Sequence, residues 1–149
     1  MRTAIVGVGN LLMRDDGVGV HVARELSDCP LPEGVDVIDA GTSADAAFAL
    51  GAAERVVVVD AAALGGTPGT VYRLSLDDAI AAEGLRTCHD LGLVGTLRAA
   101  AGADAPEILV LGVEPKEIDW GVGLSQEVSA AVSKVIEIVS AELKGAQCF

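Results

Sequence analysis

Ala4-Ile-Val-Gly-Val-Gly-Asn-Leu-Leu-Met-Arg-Asp-Asp-Gly-Val-Gly-Val20 is the stretch whose reading decides the fold. It opens on Ala4–Val8, an aliphatic run suited to a strand buried on both faces. Beyond the polar turn that ends at Asp16, Val18, Val22 and Leu26 recur at fourfold spacing and predict a helix over Gly17–Leu26. A strand feeding an amphipathic helix starts a βα unit, and the same vocabulary returns downstream. Val35–Asp39, Arg55–Asp60 and Ile108–Val113 are short β-branched or aliphatic runs that end near polar or glycine residues. Thr70–Leu74 follows the turn Gly65-Gly-Thr-Pro-Gly69, which predicts an antiparallel pair near Asp60–Leu74.

Helices fit between these strands. Ala44–Leu50 is alanine-rich, and Leu91–Ala101 sets Leu93 and Leu97 on one face. The clearest is Ser125–Leu143, where Val128, Val132, Val135, Ile136, Val139 and Leu143 make a continuous stripe. Ser125 suits the N-cap, and Glu127 suits the positive end of the helix dipole. Strands alternating with helices imply right-handed crossovers, hence an α/β fold: a three-layer α/β/α sandwich on a mostly parallel sheet. At 149 residues, without an internal repeat or linker, the chain reads as one domain over 1–149.

Composition agrees. Apolar residues make up 51% of the chain but aromatics only 3%, so Val, Leu, Ile and Ala must build the core. The mean hydropathy of +0.48 then reads as a buried core, because no uninterrupted apolar segment is long enough to span a bilayer. A net charge of −12 repels phosphate backbones and anionic lipid, which disfavours nucleic acid and membranes; it reads first as a solvated acidic surface, and it would suit a basic protein partner or a metal ion without identifying one. Cys29, Cys88 and Cys148 lack metal-ligand spacing, and no apolar leader precedes Ala4, so the expected compartment is the cytoplasm.

In parallel sheets functional groups gather at the carboxyl ends of the strands. Asn10 and Asp16 follow the first strand, Asp39 ends the second and Asp60 ends the third. Gly7-Val-Gly9 suggests a dinucleotide loop, but Leu12 stands where its third glycine belongs, and Asp15 and Asp16 would repel a pyrophosphate. Taken alone, Asp15 or Asp16 reads first as a cap on the first helix. Asp60, closing a hydrophobic strand, must be solvated, paired or bound to a cation. His89 lies in Thr87-Cys-His-Asp90 at the start of a predicted helix, whereas His21 falls on the polar side of the first helix, facing solvent. Asp16, Asp60 and His89 together would make a three-ligand site with open positions, a ligand set that admits Zn, Fe, Ni or Mn. No G-x-S-x-G elbow or H-E-x-x-H helix is present, and Cys88 and His89, adjacent at a helix start, diverge too far for a catalytic dyad.

These residues carry a family resemblance. Gly7–Val20 closely resembles the N-terminal signature of the NiFe-hydrogenase maturation endopeptidases. Asp39-Ala-Gly-Thr42 resembles that family's D-G-G-T loop, Val57-Val-Val-Asp60-Ala its third-strand carboxylate, and His89-Asp-Leu-Gly-Leu93 its histidine helix. Gly112-Val-Glu-Pro115 and Gly123-Leu-Ser125 resemble its last strand and the entry to its final helix. The resemblance implies a phosphorylase/hydrolase-like fold and an aspartyl-type, nickel-dependent endopeptidase. Such an enzyme removes the C-terminal extension of a hydrogenase large-subunit precursor after nickel insertion. It also implies that Asp16, Asp60 and His89 engage nickel presented by the substrate, with Zn or Cd as surrogates, and that Asp39, Gly41 and Thr42 recognise the substrate. A non-proteolytic metal-binding chaperone of hydrogenase assembly is the alternative. Two residues depart from the family pattern: Asp16 stands where glutamate is frequent, and Ala40 replaces the first loop glycine, which would be strained if that position needs positive φ.

Overall fold

A computed structural model of the chain describes residues 2–42, 53–82, 84 and 106–143. The described residues form five strands, β1 (Thr3–Val8), β2 (Val35–Gly41), β3 (Arg55–Ala61), β4 (Val71–Ser75) and β5 (Glu107–Val113). They form one sheet in the order β2-β1-β3-β5-β4. All neighbours are parallel except β4, which runs antiparallel to β5 with Tyr72 opposite Gly112. The architecture is α/β, as expected.

The antiparallel pair exists, but its partner differs from expectation. β4 does not fold back on β3, because β5 occupies that edge of β3 in parallel register from Arg55–Glu107 to Ala61–Val113. Burial explains the choice. β3 is inaccessible from Val56 to Ala61, so it needs a paired strand on each side, whereas the partly exposed β4 tolerates an edge.

Helix α1 (Val18–Ser27) follows a single 3-10 turn (Arg14–Gly17), α2 covers Leu76–Ala82, and α3 covers Gln126–Leu143. The apolar stripes of α1 and α3 pack on one face of the sheet, with Val18, Val22, Leu26, Val128, Val132, Val135 and Val139 closing over Ile5, Val57, Val59 and Leu111. The opposite face gathers Val6, Val8, Val56, Val58 and Val110 beneath Ala79 of α2. Both faces of the central strands are therefore covered, which is why their sequences are aliphatic without alternation. The helix over Leu76–Ala82 escaped the sequence reading, although Ser75 gave a signal: its Oγ accepts the Asp78 N–H at 3.1 Å. The expected helices Ala44–Leu50 and Leu91–Ala101 lie outside the described residues. No described helix is long and apolar enough to cross a membrane.

The glycines of the opening stretch serve packing. A Cβ on Gly19 would fall 2.2 Å from the Val59 carbonyl oxygen and 2.4 Å from that of Val8. The start of α1 thus lies directly on β1 and β3, at the strand ends that carry Asn10 and Asp60. A Cβ on Gly9 would fall 2.0 Å from the Asp16 carbonyl oxygen. The space a dinucleotide loop would give to phosphate is filled by the chain itself.

Candidate active site

The carboxyl ends of β1, β2, β3 and β5 share one edge, and Asp16, Asp39 and Asp60 lie along it. Asp60 is the penultimate residue of β3 and fully buried; its Oδ1 accepts the Ala61 N–H at 2.8 Å. Asp16 sits in the 3-10 turn, which packs against β3, and is also buried; its Oδ2 accepts the Asn10 N–H at 3.1 Å. Each carboxylate thus accepts a main-chain N–H, which orients the oxygen that receives it. Asp16 and Asp60 both lie buried at this strand-end edge, and carboxylate oxygens are of the donor type that hard divalent cations take. His89, the third expected ligand, lies outside the described residues. Among the described residues no group of three or more His, Cys, Asp or Glu is arranged to hold a metal.

Neither aspartate caps α1. The N-cap is Gly17, without a side-chain bond. Asp15 reaches across the chain instead: Oδ2 accepts the N–H groups of Lys116 (2.9 Å) and Glu117 (2.8 Å) and the Ser125 hydroxyl (2.8 Å), and Oδ1 accepts the Ser125 N–H (2.7 Å). Burial pushes its carboxyl upward, but these bonds outweigh burial and hold it below its ordinary 3.8. Ser125 meanwhile caps α3, its Oγ accepting the Val128 N–H at 3.4 Å, as its sequence position predicted. One buried carboxylate thereby ties the turn bearing Asp16 to the entry of the last helix.

Glu114 plays the matching part after β5. Its Oε1 accepts the Leu64 and Gly66 N–H groups at 2.9 and 2.8 Å and the Tyr72 hydroxyl at 2.7 Å. These bonds fold the segment that follows Asp60 back over the strand ends. Burial, then the bond and charge of Glu114, push the Tyr72 phenol upward. Nothing in local sequence assigns Asp15 or Glu114 these partners, all of which are 42 to 110 residues distant.

On the β2 side, Asp39 is exposed and its Oδ2 accepts from Arg24 Nε at 3.0 Å, while Thr42 is exposed just beyond the strand. Gly41 takes φ +55°, and its carbonyl accepts the Gly9 N–H at 2.9 Å. Ala40 is buried and is not among the positive-φ residues, so the alanine brings no strain; the left-handed position of this loop belongs to Gly41. His21 is half-buried rather than facing solvent. That burial, with Arg24 nearby and only partly offset by Glu25, pulls its imidazole below 6.5.

The profile of the HycI family, described as hydrogenase maturation protease, matches residues 20–142. A putative hydrogenase maturation protease of Methanocaldococcus jannaschii is 36% identical over 148 residues, 94% of this chain and 95% of that protein. The hydrogenase maturating endopeptidase HybD of Escherichia coli superposes with a TM-score of 0.86 at 27% identity, covering 97% of this chain and 93% of the other. The NiFe-hydrogenase maturation protease HybD of Thermococcus kodakarensis superposes at 0.80 with 32% identity, covering 97% and 100%.

Proposed function

The chain belongs to the hydrogenase maturation proteases, a family of peptidases, and from that premise we propose that it removes the C-terminal extension of a NiFe-hydrogenase large-subunit precursor once nickel has been inserted. The observation that carries this reading is the placement of Asp16 and Asp60, both buried and both held by main-chain N–H groups, at one edge of the sheet.

In this reading the nickel belongs to the substrate. It supplies a Lewis-acidic centre beside the scissile peptide when the precursor is bound. Asp16 and Asp60 supply oxygen donors whose orientation is set before binding, and His89 completes the set with an imidazole. A carboxylate at this edge accepts the proton from the attacking water, the aspartyl-type role. Asp39, Gly41 and Thr42, at the rim on the β2 side, seat the extension. Preorganised donors of this kind need little rearrangement when the substrate arrives. Membership of a protease family removes the ground for a non-proteolytic chaperone.

The test is incubation with nickel-loaded and nickel-free precursor, read by intact mass. A shortened product from the loaded precursor alone is the expected result. Equal cleavage of both forms would refute nickel gating, and full-length precursor in both would refute the proposed substrate.

A further inference from the structure

Three large apolar side chains stand exposed among the described residues: Leu12 (56%), Trp120 (73%) and Val122 (77%). They come from two segments far apart in sequence, yet the backbone brings those segments together. Met13 and Gly121 form a parallel bridge, with the Gly121 N–H donating to the Leu12 carbonyl at 2.9 Å and the Arg14 N–H donating to the Gly121 carbonyl at 3.0 Å. That register sets Leu12 beside Trp120 and Arg14 beside Val122.

The bridge is built as a rigid part. Asp15 holds Lys116, Glu117 and Ser125 on either side of it, and its own N–H donates to the Glu117 carbonyl at 3.0 Å. Asp119 Oδ1 accepts the Trp120 N–H at 2.7 Å. Arg14 takes φ +49°, uncommon for a residue with a side chain, and its guanidinium lies where a Cβ on Gly121 would stand, 2.9 Å away. A strained residue and a buried carboxylate thus hold the backbone that carries the exposed indole, which solvent contact alone would not require.

We propose that Leu12, Trp120 and Val122 form a docking platform for a basic segment of the precursor that carries an apolar side chain. The platform adjoins the site, since the turn that supplies Leu12 and Met13 continues directly into Asp16. The charge of the partner follows from the surroundings. Asp119 is exposed next to the indole, Glu117 and Glu127 take up the two nearby cations (Arg14 at 4.0 Å and Lys116 at 3.0 Å), and the chain as a whole carries −12. An arginine or lysine of the partner meets both the indole face and a carboxylate there, while its apolar neighbour covers Leu12 and Val122. This inference rests on the proposed cleavage of the precursor.

Steady-state cleavage of nickel-loaded precursor by the full chain tests it. Trp120→Ala is expected to raise KM about tenfold or more, with kcat within about twofold, as for loss of an aromatic interface anchor. Trp120→Phe should recover most of that loss. Asp119→Asn should raise KM more mildly, and added salt should raise the wild-type KM. The indole is exposed, so the alanine variant should melt within about 2 °C of wild type. An unchanged KM in Trp120→Ala, while wild type cleaves, would overturn the platform and leave the protease reading intact. So would a fall confined to kcat, or a wild-type dimer that Trp120→Ala dissolves, which would assign the patch to self-association. Failure of wild type to cleave would instead remove the reading beneath it.

Discussion

The two ends of the sheet hold their acidic residues by different means. At the carboxyl end Asp15, Asp16, Asp60 and Glu114 are buried, and each accepts at least one main-chain N–H. At the amino end Glu142 of α3 pairs with Arg55, the first residue of β3, and with Arg73 of β4, while Arg55 also donates to the Glu142 carbonyl at 3.0 Å. The second arrangement neutralises charge and staples three elements together. The first orients carboxylate oxygens through main-chain N–H groups, whose dipoles favour the anionic form. In the proposed function the carboxyl end receives the metal carried by the substrate, while the amino end only holds elements together.

Asp60→Asn should break this contrast most visibly. The substitution keeps shape and removes charge at the carboxyl edge, so processing of nickel-loaded precursor should fall by at least about a hundredfold, measured as initial rate by intact mass. Retained activity would mean that the charge of Asp60 serves no part in the chemistry. Asp15→Asn is expected to act on stability instead. An amide offers one acceptor oxygen to a site that places four donors around a carboxylate. The expected cost is about 2–4 kcal/mol, a melting temperature lower by roughly 5–15 °C. The depressed carboxyl of Asp15 gives this contribution a direction in pH: it is present above the unfolded value near 3.8 and is lost as pH falls through the lower folded value. In the variant the acid limb of the stability profile should flatten.

Much of the sheet was legible because its strands are buried on both faces, so aliphatic runs alone locate them. Arg55–Asp60 was read to within one residue of β3, and Val35–Asp39 to within two of β2. The stripe of α3 and its Ser125 cap were equally plain, since both are local. What local sequence could not give is pairing. The antiparallel partner of β4 depends on which strand takes the free edge of β3, a competition settled by burial across the whole sheet. Asp15 and Asp16 look alike in sequence, and either could cap a helix. Only the return of residues 116–125 to the turn separates them, one to structure and one to the candidate site. Asp60 was the more readable acid, because a carboxylate ending a buried strand already requires a compensating partner.

Glu142→Gln sharpens the comparison from the other end, with the smallest effect of the three. Bonding to Arg55 holds the Glu142 carboxyl below its ordinary 4.5 against the upward push of burial, with Arg73 adding to the depression. The group therefore stabilises the fold above about pH 4.5, and that contribution fades as pH falls through the folded value. Glutamine keeps an acceptor for one guanidinium and loses the charge, so the cost should be about 1–2 kcal/mol, a shift of roughly 2–8 °C in melting temperature. Because Glu142 lies at the amino end, kcat and KM for the precursor should both stay within about twofold of wild type at a temperature where the variant is folded. A fall in kcat matching that of Asp60→Asn would mean that the two ends are coupled through β3, and that the division between a holding edge and a receiving edge is wrong.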